Sequence, residues 1–112
     1  MDLVRLMLIA HVTGEKPPEL EQYDSREIRY HYTLLQDAGF ITATFAEGND
    51  VVPDEVMYVR VTWLGHEFYD ASKDSKIWKM AKEHVLKPGA SFTVTALLEW
   101  LKHEVRKQLL GG

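Results

Sequence analysis

The chain has 112 residues, 46% hydrophobic and 27% charged, which is the balance of a globular domain and not of a disordered segment. Thirteen Lys and Arg against seventeen Asp and Glu leave a formal charge of −4. That counts against a dedicated nucleic-acid binder, whose affinity comes largely from neutralising phosphates. Cysteine is absent, which excludes disulfides, thiolate metal sites and a cysteine nucleophile.

Residues 2–12 predict a helix that is apolar around most of its circumference. Leu3, Leu6, Met7 and Ala10 form one stripe, and Val4, Leu8 and Ile9 fill the other sides. Asp2 stands where a secretory leader carries positive charge, and the apolar run is too short to span a bilayer. The segment therefore reads as a core helix of a cytoplasmic protein without membrane contact. Gly14 offers a C-terminal cap, Lys16-Pro17-Pro18 breaks the chain, and residues 19–23 read as a short strand.

Asp24-Ser25 followed by Glu27 starts a second helix that runs to Ala38 and stops at Gly39. Its apolar stripe is Ile28, His31, Tyr32, Leu34, Leu35 and Ala38. The other face presents Arg26, Arg29, Tyr30, Thr33, Gln36 and Asp37. The period then shifts from helical to extended. Residues 40–45 and 57–62 are rich in β-branched and aromatic side chains, and the turn-forming stretch 46–55 joins them into a hairpin.

Residues 63–71 return to helical composition with Thr62 as cap. A further helix starts near Asp74, with Ile77, Trp78, Ala81 and Val85 on one face and Lys76, Lys79 and Lys82 on the other. Lys87-Pro88-Gly89 ends it. The last helix begins near Thr93 and carries a narrow stripe of Val94, Leu97, Leu98, Leu101, Val105 and Leu109. The expected architecture is one α+β domain over residues 1–112, with a core of 1–86 and a C-terminal helix over 92–110.

The run Leu35, Ala38, Gly39, Phe40 and Ile41 resembles the end of the recognition helix and the first wing strand of winged-helix proteins. The run from Val61 through Thr62, Trp63, Gly65, His66 and Phe68 is similar to the return strand and helix start of the same superfamily. Tyr30-His31, Leu34-Leu35, Ala38-Gly39, Thr62-Trp63, Gly65 to Phe68, Asp70-Ala71, Asp74 and Ile77-Trp78 narrow the likeness further. They resemble an uncharacterised family found in bacteria and in phage or prophage genomes, over roughly residues 3–85. The resemblance implies a winged-helix-like domain with a reduced second helix, a two-stranded wing and additional C-terminal helices.

Winged-helix membership implies, at fold level only, a DNA-binding or transcription-regulatory protein of phage or mobile-element type. Arg26, Arg29, Tyr30, Thr33 and Gln36 are the side chains suited to reading duplex DNA, and helical spacing places them on one face. The wing argues the other way. Residues 44–56 hold Glu47, Asp50, Asp54 and Glu55 and no Lys or Arg, and carboxylates are repelled by phosphates. These four residues define an alternative, a protein-interaction module such as a small inhibitor or adaptor whose acidic wing meets a basic protein partner without nucleic acid. Between Lys73 and Lys87, five lysines oppose Asp74 and Glu83, which reads as a solvated helix face.

Neither catalysis nor a cofactor is expected. Ser25, Ser72, Ser75 and Ser91 sit in cap or turn contexts, and His66-Glu67 with Asp70 lacks a nucleophile. The five histidines show no metal-ligand spacing, and His31, on the apolar stripe, reads as a buried ring bonded to backbone. Trp63 and Trp78 are expected in the core. Val94, Leu98, Leu101 and Val105 follow coiled-coil spacing over two heptads, and with Trp100 beside them they are the candidate seam of a homodimer.

Overall fold

The computed structural model describes residues 1–46, 52–87, 89 and 91–111. Their order is α1 (Asp2–Thr13), a 3-10 helix (Pro18–Gln22), α2 (Ser25–Asp37), β1 (Ile41–Ala46), β2 (Glu55–Val61), α3 (Trp63–Ser72), α4 (Ser75–His84) and α5 (Val94–Leu109). The chain divides into two compact units, residues 1–69 and 70–112, with the division inside α3.

In the first unit, α1 is buried at Leu3, Val4, Leu6, Met7 and Leu8, as a helix without a polar face requires. It packs on α2, on β2 and on the 3-10 helix. Gly14 ends it with φ 76° and donates its N–H to Ala10 O. The expected strand at 19–23 is instead the 3-10 helix. Pro18 presets the backbone dihedral of its first residue, and Leu20 N and Tyr23 N donate to Pro17 O and Leu20 O. Glu-Leu-Glu alternates as a strand does, yet among the described residues only β1 and β2 pair, and this segment satisfies its backbone locally in the 3-10 turn.

Asp24 caps α2, its carboxylate accepting from Glu27 N at 2.8 Å. The helix closes in a Schellman arrangement: Phe40 N donates to Leu35 O and Gly39 N to Gln36 O, with Gly39 at φ 81°. That reversal delivers the chain into β1, which runs antiparallel to β2 with Ile41 opposite Val61 and Ala46 opposite Glu55.

One tight junction accounts for the spacing Gly39…Thr62-x-x-Gly65. Thr62 N donates to Phe40 O, Thr62 Oγ1 donates to Gly39 O, and the same hydroxyl accepts from Gly65 N as the cap of α3. A Cβ on Gly65 would stand 2.1 Å from Phe40 O and 2.7 Å from Val61 Cγ1. Only glycine lets α3 approach this closely. Directly beneath, the rings of Phe40 and Phe68 lie 4.7 Å apart in the core.

In the second unit, α4 and α5 pack together, burying Ile77, Trp78 and Ala81 on one and Leu97, Leu98 and Leu101 on the other. Asp74 caps α4 by accepting from Lys76 N and Ile77 N, and Thr93 caps α5 by accepting from Ala96 N. Trp78 is buried as expected. No helix among the described residues is long and apolar enough to cross a membrane.

The fold is thus mixed α and β, with five α-helices and one two-stranded antiparallel sheet among the described residues. A helix, a 3-10 turn where a second helix would stand, a further helix and a hairpin form an order compatible with a winged-helix-like arrangement.

Candidate functional site

Among the side chains expected to read DNA, Arg29, Thr33 and Gln36 make hydrogen bonds inside the first unit. Arg29 Nε donates to Pro53 O at 3.0 Å and its Nη1 to Ser25 Oγ at 3.3 Å. Gln36 Oε1 accepts from Ala43 N at 2.7 Å, and Thr33 Oγ1 donates back to Tyr30 O at 2.6 Å. Arg29 and Gln36 therefore pin α2 to the two ends of the hairpin. Arg26 and Tyr30 are exposed and, with Asp24, Glu27 and Val52, border a shallow cavity of about 310 Å³. His31 is half-buried, its Nδ1 bonded to Glu27 O at 2.9 Å.

Of the acidic wing, Asp54 and Glu55 are exposed at the start of β2, and Glu47 and Asp50 lie outside the described residues. Asp54 N donates to Ala46 O and closes the base of the loop. Further along β2 the register slips: Thr42 faces Arg60 while Thr44 faces Met57, so Ala43 stands opposite both Tyr58 and Val59. Tyr58 carries this bulge at φ 55°, a left-handed conformation that L side chains rarely adopt, and is 84% exposed.

Trp63 was expected in the core and is 82% exposed. Gly65 must face Phe40, and at 100° per residue a side chain two positions earlier points to the far side of α3. Trp63 and Tyr58 are thus large aromatics displayed on the surface. Periodicity over so short a helix did not reveal this, because the constraint at Gly65 comes from a residue 25 positions away.

Sequence reasoning also missed a pairing between helices. His11, near the end of α1, and Tyr32, on α2, meet edge to face with ring centroids 5.5 Å apart, and His11 Nε2 and the Tyr32 hydroxyl share a hydrogen bond of 2.6 Å. Burial lowers the His11 pKa below its ordinary 6.5 and raises that of Tyr32 above 10.0, so both rings are held neutral. They flank a groove of about 440 Å³ between α1, the 3-10 helix and α2. Tyr32 belongs to the apolar stripe of α2, but its contact with α1 is non-local and leaves no signal in spacing.

Leu98 and Leu101 are buried, and Val94, Trp100 and Val105 are half-buried. Trp100 stacks near His84 of α4, with ring centroids 6.2 Å apart. Glu104 is 7% exposed, and its Oε2 has no hydrogen-bond partner among the described residues. No group of His, Asp or Glu among the described residues is arranged to hold a metal ion.

Charge separates the two units. Residues 1–69 contain five Lys and Arg against twelve Asp and Glu, a formal −7, whereas residues 70–112 contain eight against five, a formal +3. The unit that holds α1, α2 and the hairpin is therefore the acidic one.

The family model of the DUF2513 hypothetical proteins matches residues 1–91, and the chain belongs to that family. An uncharacterised protein of Haemophilus influenzae is 26% identical over 103 residues, covering 86% of this chain and 85% of that protein. No solved structure matches.

Proposed function

We propose that this chain is a protein-interaction module, an adaptor or inhibitor on a winged-helix-like scaffold, that docks a basic protein partner and does no chemistry of its own. The charge of −7 on residues 1–69 carries this reading. A unit so acidic repels a phosphate backbone and steers a basic protein surface toward it. Asp54 and Glu55, exposed at the start of β2, form the steering surface. Tyr58 and Trp63 supply exposed aromatic anchors of the kind that dominate binding energy at interfaces.

The experiment is affinity capture with the tagged full chain and with its Asp54→Lys/Glu55→Lys variant, alongside a labelled random duplex across a salt series. The expected result is a captured protein that the variant loses, with no duplex bound even at low salt. Duplex binding that falls steeply with salt and is weakened by Arg26→Ala would instead favour a DNA-binding regulator using α2. Arg26 is exposed, whereas the guanidinium of Arg29 also holds Pro53 and Ser25, so Arg29→Ala would disturb the fold as well.

A further inference from the structure

The groove between α1, the 3-10 helix and α2 has the size of a ligand site, about 440 Å³ where such pockets span about 300–1,000 Å³. Its walls are apolar: Met7 and Ala10 from α1, Pro17, Pro18 and Leu20 from the strap, and Ile28 from α2. Leu20, Ile28 and Pro17 are only half-buried, so the walls remain open to solvent. Two consecutive prolines hold one side at fixed backbone dihedrals, which lowers the entropy lost when a guest orders it. At the other side, the hydrogen-bonded His11 and Tyr32 offer an aromatic edge with a polar tip.

The rim is acidic. Residues 15–21 carry Glu15, Glu19 and Glu21, all exposed, against Lys16 alone, on a unit of formal −7. Glu21 borders the groove with Lys16, and Glu15 and Glu19 flank it in the chain, so an apolar slot on this acidic unit selects by charge as well as by shape. We infer that this groove receives one aromatic or large aliphatic side chain presented by a Lys- and Arg-rich segment of a partner protein. The inference rests on the protein-interaction reading and names its partner chemistry: an apolar anchor flanked by positive charge. The wing then steers the partner from one surface while the groove seats its anchor on another.

The test is a titration of the isotope-labelled full chain with three acetylated, amidated pentapeptides, followed by amide NMR. The probes are Lys-Lys-Trp-Lys-Lys, Glu-Glu-Trp-Glu-Glu and Lys-Lys-Ala-Lys-Lys. The first shifts the amides of Ala10, His11, Leu20 and Tyr32, and the other two bind about tenfold more weakly or not at all. Added salt weakens the first further. Glu19→Lys/Glu21→Lys, at exposed positions that leave the fold untouched, removes the preference for the basic peptide, and Ala10→Trp blocks the groove while the remaining amides keep their positions. Equal response to the three peptides, shifts that map away from the groove, or self-association of the chain in place of peptide binding overturns the inference. A silent groove beside a wing variant that still loses its captured partner removes the groove alone and leaves the protein-interaction reading standing.

Discussion

Gly65 is the residue on which the first unit turns. Its hydrogen lies where a methyl group would press on the Phe40 carbonyl, which is backbone and already accepts from Thr62 N. Gly65→Ala therefore forces α3 off the hairpin and costs about 3 kcal/mol or more, read as a lower urea midpoint. Tyr58 is the opposite case. A non-glycine side chain in the left-handed region costs about 1–2 kcal/mol, and this one has little packing to lose. Tyr58→Gly is expected to leave stability unchanged or raise it by up to about 1 kcal/mol, because glycine relieves the strain but loses more entropy on folding. The same variant weakens partner capture. A substantial drop in the urea midpoint would show that Tyr58 serves the fold and not an interface.

At the scale of elements, much was legible in the sequence. Local chemistry is sufficient for the caps at Asp24, Asp74 and Thr93, for the Gly39 reversal and for the hairpin, since each depends on residues within one turn or on period-two alternation. What escaped is what depends on partners distant in the chain. The 3-10 helix at Pro18–Gln22 alternates like a strand but packs against α1 instead of joining the sheet, and Trp63 faces out because Gly65 must face in. The same limit applied to the candidate site. Helical spacing placed Arg26, Arg29, Tyr30, Thr33 and Gln36 on one helix, but Arg29 and Gln36 are used to hold the hairpin.

The contact between α1 and α2 has a pH signature. His11 is held neutral by burial, with Lys16 and Glu21 the other charged side chains bordering the groove. Its folded pKa lies below 6.5, so the unfolded chain binds more protons as pH falls through that value, and stability declines there. Tyr32, raised above 10.0, makes the folded chain the stronger proton binder at high pH, so stability falls again above that value. His11→Gln flattens the acid limb in urea unfolding measured between neutral and mildly acid pH; an unchanged slope would place the acid sensitivity elsewhere. In the second unit, Glu104 buries a carboxylate oxygen without a partner among the described residues. Glu104→Met is expected to stabilise by about 1–3 kcal/mol in thermal unfolding, because it removes an uncompensated desolvation. A lower melting temperature would mean that the carboxylate is held by an interaction that the substitution breaks.

For the whole molecule, the division of charge matters more than its total. A net of −4 spread evenly would say little, but −7 on residues 1–69 and +3 on residues 70–112 give the first unit the wrong sign for phosphate and the right sign for a basic protein surface. The sequence showed the acidic wing, yet the full asymmetry emerges only once the fold says which residues belong together. The most direct measurement is capture of the partner by the full chain and by Asp54→Lys/Glu55→Lys, each with and without nuclease treatment. The account predicts a partner that survives nuclease and is lost on charge reversal. A partner that disappears with nuclease and persists through the reversal would contradict it and return the chain to nucleic-acid binding.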